Sequence, residues 1–283
     1  MSLLRTLIIA LPAVQLPSLP QLPAPLPVDV NHTLSRVTDR PLAQLRRIHV
    51  RELLRTHRRE LEADPQGAAM IRNEVLAFSP SADALDRALA AGFSVARQRV
   101  LTGLDARIVV LRAPPNISTR RALARLRELD PAGLYDFNHL YSEGGQGAEG
   151  VSPVRQPNAG RGPMKVGLVD GGVDATHPVF ENVVIHPHGC GDKPIPSPHG
   201  TVVASLMAAP GVEIFAADIY CKRPTGGAMD DIAEAIAWIA GQHVPVINVS
   251  LVGPRNLMLQ NVVQSATARG HLIVAAVGND GPA

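Results

Sequence analysis

Four short apolar runs in the C-terminal part of this chain restrict its fold more than any other feature. They span residues 164–169, 212–216, 244–249 and 272–277, and helix-like segments at 201–209, 228–240 and 257–269 separate them. Such runs lack the polar alternation of a half-exposed strand, so each is expected to be buried on both faces. Strands that alternate with helices build a parallel sheet, because every return to the same edge requires a crossover. The expected class for 164–283 is therefore α/β, a parallel sheet with helices on both faces.

A different pattern precedes it. Residues 74–78 read as a short strand, and Ser81 caps a helix that Gly92 stops. Residues 93–101 and 107–112 read as a hairpin around Thr102-Gly-Leu-Asp. Ser118 or Thr119 opens a second helix with Leu123, Leu126 and Leu129 on one face, and 134–140 form a last strand. The order β-α-β-β-α-β predicts a small α+β domain of the split βαβ kind over residues 70–141. Residues 142–163 are rich in Gly and Pro and read as a linker and domain boundary. Upstream, 41–62 have leucines near helical spacing among six arginines, a basic helix within a segment 31–69. Its interspersed acids and lack of aromatic residues favour a solvated face over nucleic acid. Residues 6–14 are an apolar run after Arg5, followed by the Leu/Pro alternation of 15–27. Together 1–30 resemble an export signal with a Pro-rich spacer, giving a secreted or periplasmic expectation. No run reaches the ~18 apolar residues of a bilayer span, so an integral membrane protein is not expected.

Charge separates the two parts. Residues 1–163 hold 21 Arg and no Lys against 15 acids, a surplus of +6; residues 164–283 hold 6 basic and 10 acidic side chains, a deficit of −4. Opposite signs suit two parts that dock on each other. The total, +2, gives no reason to expect a nucleic-acid partner.

Open parallel sheets carry function at the carboxyl ends of their strands. Asp170 ends the first run, His199 precedes Gly200-Thr201 and an apolar helix, and Asn279 ends the last run. An Asp beside a His can fix its tautomer and stabilise the cation that forms when the other nitrogen takes a proton. An Asn amide can stabilise an oxyanion. Taken singly, Asp170 reads more readily as a cap or turn, and Asn279 as a turn. The other histidines, including His186 and His188, read as surface or linker, and the spacing from His186 through Cys190 to His199 fits no standard zinc site. No cofactor is expected, and a calcium requirement cannot be read from the residues.

Taken together, these segments resemble the subtilisin-like serine peptidases. Val-Gly-Leu-Val-Asp-Gly-Gly-Val-Asp-Ala-Thr-His-Pro at 166–178 resembles their Asp segment, and Ser-Pro-His-Gly-Thr-Val-Val-Ala at 197–204 their His segment. Pro-Val-Ile-Asn-Val-Ser-Leu-Val-Gly at 245–253 is similar to their substrate-pairing strand, and Val-Ala-Ala-Val-Gly-Asn-Asp-Gly at 274–281 to the segment of their oxyanion Asn. The β-α-β-β-α-β part resembles their inhibitor-like prosegment. The resemblance implies Asp170 as orienting carboxylate, His199 as general base and acid, and Asn279 as oxyanion donor. It implies Ser250, Leu251 and Gly253 along a polypeptide substrate. Val252 stands where many relatives have Gly, which narrows the cleft wall.

The nucleophile's Gly-Thr-Ser segment is not found in these residues, and Ser205, Ser250 and Ser265 lack its pattern. The chain by itself is therefore expected not to hydrolyse peptides. A non-catalytic relative, or a prosegment-type inhibitor and folding aid, is the alternative. A nucleotide-binding sheet would need a glycine fingerprint that Asp170-Gly-Gly-Val does not supply. Cys190 and Cys221 suit a disulfide between two loops of an exported protein, with independent thiols as the other reading.

Overall fold

The computed structural model describes residues 46–144, 164–191 and 193–276. The expected signal segment 1–30, most of the linker, and Asn279 lie outside them.

Helix α1 covers 46–56, and the chain then enters strand β1 (Leu61–Ala63) instead of continuing as helix to 62. The reason lies in the residues that follow. Asp64-Pro-Gln-Gly is a turn sequence, and Asp64 Oδ1 accepts the backbone N–H groups of Gln66 and Ala68, both at 2.8 Å. That turn folds β1 back onto β2 (Ala69–Phe78) and buries Leu61. Strand β2 is longer than the expected 74–78. A register shift between Met70 and Val75, with Asn73 at φ 62°, breaks its alternation and hides its first half from pattern reading.

Helix α2 (Ala82–Ala90), β3 (Ser94–Leu101), β4 (Ala106–Arg112), α3 (Thr119–Leu129) and β5 (Leu134–Glu143) follow in the expected order. Ser81 and Ser118 cap the two helices, accepting from Ala84 N and Arg121 N. The strands form an antiparallel sheet in the order β5-β2-β4-β3. Adjacent residues face opposite ways, so Val75, Val109, Leu111 and Phe137 pack under α2 and α3, while Leu76, Ile108 and Val110 join a second core on the other face.

The parallel sheet contains β6 (Met164–Asp170), β7 (Val184–Gly189), β8 (Val212–Asp218), β10 (Val246–Val249) and β12 (Leu272–Ala275), in the order β12-β10-β6-β8-β7. Two short strands, β9 (Gly227–Ala228) and β11 (Leu251–Val252), pair with β5 instead. Helices α4 (Pro198–Met207), α5 (Met229–Gly241) and α6 (Leu257–Ala268) complete the α/β part. Leu168, Ile214 and Ala216 face Ala204 of α4, and Val169, Phe215, Ile247 and Val249 face α5 and α6. Helix α5 is apolar nearly all round because both sheets bury it: Ile232, Ile236 and Ile239 share one core with Leu76, Ile108 and Val110.

Strand β7 was not foreseen. His186 and His188, read as surface or linker, lie on it. His186 stacks on Phe215 and His188 on Trp238, each with ring centroids 4.3 Å apart, and their Nε2 atoms lie 3.0 and 2.9 Å from Glu213 and Glu234.

Candidate active site

Asp170 is the last residue of β6 and is wholly buried. Its Oδ1 accepts from the N–H of Gly171 at 2.6 Å and from His199 Nδ1 at 2.8 Å. His199 stands in the first turn of α4, where Ser197 caps the helix by accepting from Gly200 N at 2.9 Å and Pro198 supplies a φ suited to a helix start. Two further bonds fix α4 against the exit from β6: Ser197 N donates to Gly172 O at 2.8 Å, and Asp174 N to Thr201 Oγ1 at 3.0 Å. The sheet and one helix start thus bring the predicted Asp and His together.

The second imidazole nitrogen, Nε2, lies 2.7 Å from the carbonyl oxygen of Gly144. Both ring nitrogens therefore face acceptors, an arrangement that needs both protons. The hydrogen bond to Asp170 leads the causes that raise the His199 pKa to about 9; burial opposes it, and the charges of Asp170 and Glu143 add to it. Burial pushes the Asp170 carboxyl up, against the pull of His199 and Gly171.

Gly144 arrives there because β5 runs on past the antiparallel sheet. Leu140 and Tyr141 pair with Ala228 and Gly227, Ser142 and Glu143 pair with Val252 and Leu251, and Gly144 N donates to Ser250 O at 3.0 Å. The predicted substrate strand, Ser250, Leu251 and Gly253, thus lies along an extended peptide of the chain itself. Gly253 has to be glycine, since a Cβ there would run into the ring of Tyr141. The Tyr141 hydroxyl donates to Pro254 O at 2.9 Å.

Strand β5 also holds both helix starts beneath it. Asp136 Oδ2 accepts from Leu257 N at 2.7 Å, beside the Asn256 cap of α6, and Asn138 Nδ2 donates to Asp230 Oδ1 at 2.9 Å. Asp230, fully buried at the start of α5, accepts from Arg97 Nε at 2.7 Å and Arg99 Nε at 3.1 Å, while Arg97 also forks onto Glu74. Burial favours the neutral acid, but the hydrogen bonds and charge of Arg97 prevail and hold Asp230 below the ordinary carboxylate value. The charge imbalance between the halves hinted at this network, but no local motif marks it.

Cys190, just after β7, is disulfide-bonded to Cys221, just after β8, with Cα atoms 5.3 Å apart. Between them the Asp218 carboxylate accepts from the N–H groups of Ile195, Tyr220 and Cys221 at 2.9 to 3.0 Å. Among the described residues no seryl hydroxyl is hydrogen-bonded to His199: Ser205 Oγ donates to Val202 O, and Ser250 Oγ accepts from Asn248 Nδ2.

Comparison with known proteins adds to this geometry. A profile described as the subtilase family matches residues 161–283. The thermophilic serine proteinase of Bacillus sp. (strain AK1) is 33% identical over 135 residues, covering 42% of this chain and 33% of that protein. Subtilisin E of Bacillus subtilis (strain 168) is 28% identical over 183 residues, covering 57% of this chain and 48% of that protein. The chain thus spans a third to about half of these curated relatives. Among solved structures, fervidolysin from Fervidobacterium pennivorans, a keratinolytic enzyme related to subtilisin, superposes with a TM-score of 0.53 at 15% identity, over 74% of this chain and 40% of that one. At that identity the likeness concerns the fold, and it agrees with the parallel sheet and its flanking helices. Over residues 161–283, this chain matches the subtilase family.

Proposed function

We propose that the chain is part of a serine endopeptidase precursor whose prosegment, residues 70–141 and their extension to Gly144, lies in its own cleft. The observation that carries this reading is the clasp of His199 between the Asp170 carboxylate and the Gly144 carbonyl. Asp170 orients the ring. His199 takes the proton of a seryl hydroxyl as it adds to a peptide carbonyl, and then delivers it to the leaving amine. Asn279 donates to the oxyanion, and Ser250, Leu251 and Gly253 hold an extended polypeptide by strand pairing. The Gly144 carbonyl is the group that β5 presents to His199. While the prosegment stays in place, His199 faces an acceptor on each side and has no free lone pair to act as a base. A disulfide at Cys190 and Cys221 fits an exported protein.

The 283 residues alone are proposed to be inactive, since Ser205, Ser250 and Ser265 do not fill the nucleophile's place. The test compares this chain with a folded chimera that continues it, past residue 283, with the corresponding remainder of Subtilisin E. A serine-directed fluorophosphonate should label the chimera, and His199→Ala should abolish that label; the chain alone should stay unlabelled. A folded chimera that takes no label would count against the peptidase reading. It would favour the alternative that β5 already suggests, a non-catalytic protein whose prosegment part inhibits a peptidase or helps it fold. Label on the chain alone, lost in His199→Ala, would overturn the proposed inactivity.

A further inference from the structure

We infer that Tyr220 is a positioning residue for the Asp170–His199 pair, its hydroxyl serving as donor to Asp170 Oδ2 directly or across one water molecule. This inference rests on the functional reading above only in giving the pair its role.

Among the described residues, two buried side-chain polar atoms lack a hydrogen-bond partner: Asp170 Oδ2 and the hydroxyl of Tyr220. Leaving a buried donor or acceptor unsatisfied costs about 1–3 kcal/mol, and one of these atoms is an acceptor while the other can donate. Backbone geometry brings their residues together. Ile219 N donates to the backbone carbonyl of Asp170 at 3.0 Å, so Tyr220 follows directly on a bond to residue 170. Gly171 lies between them: a Cβ there would run into Ser197 Oγ and would come within 3.6 Å of Tyr220 Cδ2. No side chain at 171 can therefore serve Oδ2, and the Tyr220 ring is packed against the place from which one would have reached it. Asp170 Oδ1 is already taken by Gly171 N and His199 Nδ1.

The charges of three carboxylates, Asp170, Glu143 and Asp218, act on the phenol. Asp218 is occupied by three backbone N–H groups, and Glu143 is only partly buried and within reach of solvent. Asp170 is wholly enclosed and has the most to gain from a donor. Burial first, then the charge of Asp170 ahead of those of Glu143 and Asp218, raises the Tyr220 pKa. The phenol is thus kept as a neutral donor.

The consequence falls on His199. A donor on Oδ2 stabilises the carboxylate most when the imidazole beside it is neutral, and less when imidazolium already compensates the charge. Removing the hydroxyl should therefore favour the protonated ring. The experiment follows the ring nitrogens of His199 by NMR through a pH titration of the full chain, its Tyr220→Phe variant and a Tyr135→Phe control. Tyr135 donates a comparable phenol bond to Asp130 at 2.9 Å, away from the pair. His199 should titrate at about 9 in the unaltered chain. Tyr220→Phe should move that midpoint upward by about half a unit or more, and Tyr135→Phe should leave it in place. An unmoved midpoint in a folded Tyr220→Phe chain would overturn the inference, as would equal shifts in both variants. Glu143→Gln followed by Tyr220→Phe excludes the remaining acceptor: if the upward shift vanishes in that background, Tyr220 serves Glu143 and the inference fails. None of these outcomes depends on fluorophosphonate labelling, so the pair's positioning and the peptidase reading can fail separately.

Discussion

The two sheets solve the same problem differently. The antiparallel sheet is covered on one face by its own helices, α2 and α3, and on the other by α5 and α6, which are connected within the parallel sheet. The parallel sheet uses α5 and α6 on one face, while among the described residues its other face meets α4, over β6 and β8, and the turn around Phe180. Toward β12 that face leaves Leu272 and Val274 60% and 46% exposed, near-matched by Val202 and Leu206 on α4 at 40% and 42%. The antiparallel sheet therefore depends for half of its burial on helices that belong to the other unit. Two helices, buried from both sides, make one cooperative core of what the sequence divides at 142–163.

That dependence can be broken most severely at α5. Ile236→Ala removes a fully buried side chain from the shared core and should cost about 2–5 kcal/mol, read as a lower denaturant midpoint. Both sheets should unfold in a single transition; two separate transitions would show that the shared helices do not couple them.

A second perturbation acts through protons at the place where the sheets meet. The folded-state pKa of His199, about 9, lies above its ordinary 6.5. Stabilisation from its protonation is thus complete below about pH 6.5 and is lost as pH rises through about 9, a change of up to about 3 kcal/mol. Thermal midpoints measured from pH 6 to 10 should fall across that window, and His199→Ala should flatten the fall. An unchanged slope in the variant would assign the pH dependence elsewhere.

The gentlest test lies on the thinly covered face. Val274→Ala, at a half-exposed position, should change stability by only about 0.5 kcal/mol. A loss as large as that of Ile236→Ala would mean that this face is covered in solution.

Much of this arrangement was legible in the sequence because it is locally encoded. Strands β6, β8, β10 and β12 announce themselves as largely apolar runs, and Asp170 and His199 stand where such strands and helices place them. Strand β7 did not, since Val-Ile-His-Pro-His-Gly mixes polar and apolar residues at a sheet edge and its burial comes from Phe215 and Trp238. Helix α1 was overextended because the leucine spacing continues to Leu61, while the Asp64 turn that redirects the chain comes afterwards. The end of β5 was hidden for another reason. Ser142 and Glu143 have the composition of a linker, and they become strand only because Leu251 and Val252 arrive from far along the chain to pair with them. Tyr220 carried no signal at all, since its role depends on which neighbouring carboxylate oxygen other groups leave unclaimed.

Strand β5 is a full member of the antiparallel sheet at its beginning and a guest in the cleft at its end. Neither state can be changed alone. Loosening the sheet withdraws the guest, and pulling the guest away tugs on a strand that steadies the starts of α5 and α6. The place of Gly144 beside His199 thus depends on the sheet and on both helix starts at once, through a single continuous strand.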